Sequence, residues 1–164
     1  MTRPNKTPMR VIAESQGRIY ISVEIERPDE FASPFPGALF PCLIWYHGSR
    51  FGAEERSALA RALLEGGCRY AVCGGVRCKD WHDAVDSEFV KNHMDDPDEA
   101  LDEVHVMTTW HENESADDVG FFFVLHTNFD FHDFDRYLVL HVGRGREVEH
   151  VDAAVRKYAL GEEV

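Results

Sequence analysis

Three of the four cysteines lie in one short segment, CRYAVCGGVRCKDWHDAVD, residues 68–86. Within it, Cys73, Cys78 and His82 have the spacing Cys-x4-Cys-x3-His, and thiolate and imidazole groups are the ligands that zinc prefers. Structural zinc sites usually have closer cysteine pairs and a fourth ligand, so the sequence predicts no metal site. If a metal were bound, Cys73, Cys78 and His82 would be the candidate ligands. Buried thiols are the alternative. Cys68 and Cys73 are an odd number of positions apart, which predicts opposite faces of one strand.

The same segment contains the pair Gly74-Gly75 between an apolar run and a predicted helix. Backbone N–H groups exposed at such a position can bind phosphate. However, Asp80 and Asp83 place negative charge near the start of that helix, and no third glycine follows at the dinucleotide-binding spacing. Taken alone, the pair is interpreted as a strand-to-helix connection.

From residue 42 onward, short apolar runs alternate with amphipathic segments, which is typical of strands that alternate with helices. The predicted strands are CLIWYH, CRYAVC, VHVMTTW and YLVLHV, and the predicted helices are AEERSALARALLE, WHDAVDSEFVKNHM after an Asp80 cap, and EVEHVDAAVRKYAL. ADDVGFFFVLHTNF, after Ser115, fits a capped helix, although its phenylalanine run also permits a strand. RVIAESQGRIYISVEIE predicts an N-terminal hairpin.

These patterns predict an α/β fold, a three-layer sandwich around a mainly parallel sheet with a flavodoxin- or Rossmann-like outline. The hairpin is expected at one edge of that sheet. The length of 164 residues suits a single domain. We divide it into a flexible tail (1–9), the hairpin (10–26) and a βα core (42–160).

The loops that follow parallel strands meet at one edge of the sheet, which is where ligands bind in such folds. Here these loops are rich in basic side chains, glutamates and glycines. The candidate ligand-binding residues are His47, Arg50, Gly74, Gly75, Arg77, Lys79, Glu112, Glu114, Arg144 and Arg146. The basic groups suit a nucleotide-like anion. The glutamates suit the role of a general base or that of carboxylates that bind ribose hydroxyl groups. Ion pairing among ordinary loop residues is the alternative.

Charge is unevenly distributed along the chain. Residues 1–79 contain 11 Lys and Arg against 8 Asp and Glu, whereas residues 80–164 contain 6 against 22. The acidic half disfavours nucleic acid and anionic membranes and favours a basic protein partner, with a solubilising surface as the alternative. The leading hypothesis is a non-catalytic accessory protein, immunity- or antitoxin-like, that binds such a partner. The alternative is a domain that binds or processes a nucleotide or another small anion.

Other signals narrow the function and location. The sequence has no nucleophile elbow, Walker loop or His-Glu metal helix, so it predicts neither catalytic residues nor a cofactor. It has no apolar run of the roughly 20 residues that a membrane span needs, and no apolar region of a secretory signal at its start. A cytoplasmic protein with reduced cysteines is therefore expected.

The motifs WYHG, YAVCGG, WHDAVD and FDRYLVLHVG resemble a small bacterial α/β family that is known only as a domain of unknown function. The resemblance covers residues 40–160 and implies no activity. The order of elements is also similar in outline to Toll/interleukin-receptor-type domains, some of which cleave NAD through a glutamate on a helix. Glu88 is the nearest counterpart, but the residues around it depart from that motif, so the activity is not transferred.

Overall fold

The computed structural model describes residues 9–48, 50–94, 105–128 and 133–161. Within these ranges one sheet contains the strands β1 (Met9–Ser15), β2 (Arg18–Ile25), β3 (Phe40–Tyr46), β4 (Cys68–Gly75), β5 (Met107–Trp110) and β6 (Arg136–Val142). The α-helices are α1 (Ala53–Glu65), α2 (Cys78–His93), α3 (Ala116–Leu125) and α4 (Glu147–Ala159), and a 3₁₀ turn spans Pro28–Glu30. The predicted flexible tail, apart from Met9, lies outside the described residues.

The sheet is mixed and mostly parallel, as the sequence predicts. Its strand order is β1-β2-β6-β3-β4-β5, and every neighbouring pair except β1 and β2 is parallel. The predicted hairpin is confirmed at one end of the sheet, where Gln16 and Gly17 both adopt positive φ angles in the turn. The chain runs outward from β3 to β5 and then returns to place β6 on the other side of β3.

The buried side chains form two clusters. One cluster joins Leu63 of α1 and Trp81 of α2 to strand residues such as Ile44. The other joins Phe123 of α3 and helix α4 to strand residues such as Leu43. Neighbouring residues of β3 therefore point to different clusters, which explains why this strand is apolar throughout. None of the described helices combines the length and the apolar character that crossing a bilayer requires.

The prediction that Cys68 and Cys73 lie on opposite faces is wrong, because both belong to the same buried cluster. The register between β3 and β4 is shifted at this point, since Phe40 pairs with Cys68 but Pro41 pairs with Tyr70. One extra residue in β4 reverses the alternation of its side chains. Burial raises the pKa of both thiols, so they are protonated packing groups.

Capping geometry determines where two of the helices begin. The Ser115 side chain accepts a hydrogen bond from the backbone N–H of Asp118 at 3.1 Å. The segment after Ser115 is therefore a capped helix and not a strand. Helix α2 begins at Cys78, and the prediction that Asp80 caps it is wrong. Arg77 has a φ of 52° and turns the chain into the helix before Asp80 is reached.

Candidate functional site

A cleft of about 720 Å³ opens at the carboxyl end of the parallel strands. Its walls are the chain segments that follow β3, β4, β5 and β6. The segments after β3 and β4 lead to α1 and α2, which pack in one buried cluster, and those after β5 and β6 lead to α3 and α4 in the other. The four segments therefore diverge, and the cleft lies where they separate.

Most of the candidate residues line this cleft, namely His47, Gly75, Arg77, Lys79, Glu112, Glu114 and Arg146. Three candidates do not. Arg50 is exposed outside the lining, and Arg144 is exposed and forms an ion pair of 3.1 Å with Glu26. Gly74 is buried, and a Cβ there would come within 2.7 Å of the Trp45 ring, so this glycine serves packing.

The cleft carries both signs of charge. Its cationic side chains are Arg77, Lys79 and Arg146, and its carboxylates are Asp80, Glu112, Glu114 and Glu147. The first turn of α2 forms part of the wall, and the N-terminus of a helix favours a bound anion. The arrangement suits a ligand with an anionic group and with hydroxyl or amino groups.

Glu114 is positioned by a histidine at the end of β5. His111 places its Nδ1 2.9 Å from Oε2 of Glu114 and its Nε2 3.0 Å from Oγ1 of Thr109. The His111 ring is buried and packs on Phe122, with the ring centres 4.6 Å apart. These contacts hold the Glu114 carboxylate at the cleft wall.

A second, deeper series of groups supports His47. Nε2 of His47 lies 2.9 Å from Nδ1 of His141 on β6, and Nε2 of His141 lies 2.9 Å from Oδ1 of Asp152 on α4. His141 is fully buried, Asp152 is 7% exposed, and His47 is half-buried and reaches the cleft. We call His47, His141 and Asp152 the His–His–Asp chain.

Asp152 is held by two further donors from the N-terminal hairpin. Ser22 donates a hydrogen bond of 2.8 Å to Oδ1, and Arg10 donates one of 2.7 Å to Oδ2. Burial opposes ionisation of this carboxyl, but the hydrogen bonds from His141 and Arg10 outweigh it and hold the pKa of Asp152 below its ordinary value. Asp152 is therefore a buried carboxylate at neutral pH.

His47 remains neutral for a different reason. Burial and repulsion from His141 lower the pKa of His47 to about 4, and the nearby carboxylates of Glu24 and Asp152 offset this only in part. Gly145, after β6, lies directly against the ring, because a Cβ at this position would overlap Nδ1 of His47. A neutral imidazole thus lies at the cleft. The loop after β6 can approach this ring so closely only because Gly145 has no side chain.

A model of one protein family matches residues 19–158, from β2 to the penultimate residue of α4. The chain belongs to this family, described as Domain of unknown function (DUF7684). A family of unknown function is what the sequence motifs indicate, and that prediction is confirmed. No curated protein matches this DUF7684 chain. Bacterial origin and the outline similarity to Toll/interleukin-receptor-type domains stay predictions.

The candidate metal ligands have other partners in this DUF7684 member. Cys78 and His82 lie one turn apart on α2, but Nδ1 of His82 is 3.0 Å from Asp83 and its ring packs on Trp110. Cys73 lies in the buried cluster. Across the part of the chain that the structure describes, no group of three or more His, Cys, Asp or Glu is placed to hold a metal ion.

Glu88, which the outline similarity to Toll/interleukin-receptor-type domains indicated only as the nearest counterpart of a glutamate there, is buried on α2 and is not among the residues that line the cleft. Its carboxylate lies 3.4 Å from Arg61 of α1 and 3.5 Å from Lys91. The contact with Arg61 links α1 and α2, which pack together.

Sequence reasoning missed Asp152 and its partners Arg10 and Ser22. One signal was available, because Asp152 lies four residues after Val148, on the apolar stripe of α4. A carboxylate at such a position must be paired when it is buried. Its partners come from the far end of the chain, and no local pattern indicates them.

The lowered pKa of His47 predicts that acid destabilises the folded protein. The unfolded chain binds a proton at this histidine near pH 6.5, whereas the folded protein binds it only near pH 4. Lowering the pH through this window should therefore reduce the free energy of unfolding, by roughly 1–2 kcal/mol after allowing for the half-exposed ring. Urea denaturation at a series of pH values measures the effect.

His47→Gln should remove this part of the pH dependence. His150→Gln is the matched control, because the His150 side chain is 73% exposed. The prediction fails if the His47→Gln protein loses stability with acid as steeply as the unmodified protein does.

Proposed function

We propose that the cleft binds a small anionic ligand that also carries hydroxyl groups, such as a nucleotide. One observation carries the proposal: Arg77, Lys79 and Arg146 share the cleft with Glu112 and Glu114, beside the start of α2. Cationic side chains and a helix N-terminus favour a phosphate or carboxylate, and carboxylates accept hydrogen bonds from hydroxyl groups.

The position of the cleft within the fold gives separate support. In open parallel sheets, ligands bind beyond the carboxyl ends of the strands, where neighbouring connections diverge to opposite sides. His47 follows β3 and Gly145 follows β6. These two strands are neighbours in the sheet, although they are not consecutive along the chain. The cleft therefore occupies the place where this class of fold usually binds small molecules.

We expect at least one member of a panel of nucleotides and sugar phosphates to raise the melting temperature. A ligand at a hundred times its dissociation constant adds about 2.7 kcal/mol of stability. Arg146→Ala should abolish the shift, because Arg146 lines the cleft. Differential scanning fluorimetry measures both results.

Arg144→Ala is the matched control for this experiment. Arg144 lies in the same loop, but its side chain is 83% exposed and pairs with Glu26 outside the cleft lining. A panel in which no compound raises the melting temperature refutes the proposal. A shift that Arg146→Ala and Arg144→Ala reduce equally refutes it as well.

Two further features of the protein are inferred with this function. The two buried clusters, with α1 and α2 in one and α3 and α4 in the other, support the three-layer, Rossmann-like sandwich. The cysteines Cys42, Cys68, Cys73 and Cys78 are free and buried, which fits a reducing compartment such as the cytoplasm.

Binding of a basic protein partner stays a prediction from charge. Six acidic residues of the C-terminal half lie in residues 95–104, outside the described residues. The cleft, in contrast, is formed by described residues with defined positions. For this reason the small-molecule function is the one proposed.

A further inference from the structure

We propose that the His–His–Asp chain is a proton relay and that its outer end, Nδ1 of His47, is the general base of the cleft. The inference rests on the proposed function in one respect, since the proton comes from a hydroxyl group of the bound ligand. It adds acid–base catalysis to a site otherwise assigned to binding.

The hydrogen bonds determine which ring nitrogens carry protons. Asp152 is a carboxylate and only accepts, so Nε2 of His141 donates to it. When His141 is neutral, its Nδ1 has a lone pair and accepts from Nε2–H of His47. Nδ1 of His47 is then unprotonated. This nitrogen lies next to Gly145, and His47 and Gly145 both line the cleft.

The proton transfer is balanced along this series. A ligand hydroxyl gives its proton to Nδ1 of His47 and keeps the electron pair of the O–H bond. The proton on Nε2 of His47 then moves to Nδ1 of His141. His47 ends neutral as the opposite tautomer, and His141 becomes an imidazolium that still donates to Asp152. The positive charge thus resides on a fully buried ring beside a carboxylate.

The surrounding charges favour His141 as the place for this proton. Arg10 holds the Asp152 carboxylate, and its own charge is balanced by Glu24 at 2.6 Å. His47 resists becoming a second cation because it is partly buried and lies beside His141. Proton movement along the chain therefore ends at His141, whose Nε2 lies 2.9 Å from the Asp152 carboxylate.

Arg146 and Glu147 also line the cleft beside Gly145 and carry opposite charges. A bound anion at Arg146 would place the ligand next to the proposed base. General-base catalysis by a positioned group of this type typically contributes about 10²- to 10⁴-fold in rate.

Long-range ¹H–¹⁵N NMR of the ligand-free protein tests the relay, because it distinguishes protonated from unprotonated ring nitrogens. At alkaline pH we expect both His47 and His141 as Nε2–H tautomers. As acid is added, the first proton should convert His141 to the cation and switch His47 to the neutral Nδ1–H tautomer. His47 already protonated on Nδ1 at alkaline pH, or His47 becoming the first cation, overturns the proposal.

Asp152→Asn tests the positioning role of the carboxylate. It keeps the side-chain shape but removes the charge, so proton binding by the histidine pair should weaken by about 10- to 1000-fold. Ser22→Ala, which removes only a neutral donor to Asp152, should change it much less. If Asp152→Asn does not fold, the tautomers of the unmodified protein still decide the question.

Acylation by diethyl pyrocarbonate, followed by mass spectrometry, gives a second readout of the unprotonated nitrogen. The rate at His47 should fall with acid at the same midpoint as the NMR titration, and Asp152→Asn should move that midpoint to lower pH. The rate at exposed His150 should be the same in both proteins. An unmoved midpoint at His47 means that Asp152 is only structural and refutes the relay.

Neither measurement uses a ligand, so failure of the relay is distinct from failure of ligand binding. Binding in the thermal-shift panel without the expected tautomers leaves the cleft as a binding site and refutes the base. The expected tautomers with no ligand in the panel support the relay and refute the proposed ligand class.

Discussion

We expect Asp152→Ala to lower the free energy of unfolding by about 2–5 kcal/mol, because two buried hydrogen-bond donors lose their acceptor. The carboxylate accepts hydrogen bonds from His141, Ser22 and Arg10. His141 and Ser22 are fully buried, so neither can replace the lost acceptor with bulk water. Each would retain an unsatisfied donor, which is costly in the interior.

Asp117→Ala is the matched control. Asp117 also accepts two short hydrogen bonds, from Lys157 at 2.8 Å and Tyr158 at 2.7 Å, but its side chain is half-exposed. Asp117→Ala should lower the free energy of unfolding much less, because water can take the place of the lost carboxylate as the acceptor for Lys157 and Tyr158. Urea denaturation measures both variants, and similar losses at the two positions would contradict the burial argument.

The double variant Arg10→Ala/Asp152→Ala separates pairing from burial. Removing both side chains should cost less than the sum of the single losses, because each single variant already loses the contact between Arg10 and Asp152. Additive losses would show that Arg10 and Asp152 act independently, despite the 2.7 Å contact between them.

The regular elements of this fold were predictable because their signals are local. Helix α1 spans the predicted AEERSALARALLE, with acids in its first turn and the pair Gly66-Gly67 after its last residue. Strand β6 begins one residue before the predicted YLVLHV. Local patterns failed where a neighbouring strand or a special backbone angle decides the geometry, as at the bulge in β4 and at Arg77.

The candidate site was predictable only at the level of loops. The parallel order implies that the segments after β3, β4, β5 and β6 meet, and the structure brings them together. Which side chain of a loop faces inward depends on a few backbone angles, so Arg146 lines the cleft and Arg144 does not. The support of His47 by Asp152 depends on α4 packing beside the hairpin, a long-range contact that no spacing rule shows.

We expect Gly75→Ala to destabilise the protein by about 2–5 kcal/mol, because it combines backbone strain with a steric clash. Gly75 ends β4 with a φ of 82°, where residues other than glycine are strained. A Cβ there would overlap the backbone carbonyl oxygen of Tyr46 on β3. That oxygen accepts the hydrogen bond of 3.1 Å from Val76, so the ends of the two strands would have to separate.

Gly48→Ala isolates the strain from the clash. Gly48 has a φ of 88°, but among the residues that the structure describes a Cβ there would meet only Cγ2 of Val76, at 3.4 Å. Its cost should be about 1–2 kcal/mol, the strain alone. Urea denaturation of both variants measures the difference. Because the separation of β3 and β4 occurs at the wall of the cleft, Gly75→Ala should also weaken any ligand response in the thermal-shift panel. Equal destabilisation by the two variants would show that the close approach of Gly75 to Tyr46 contributes nothing to stability.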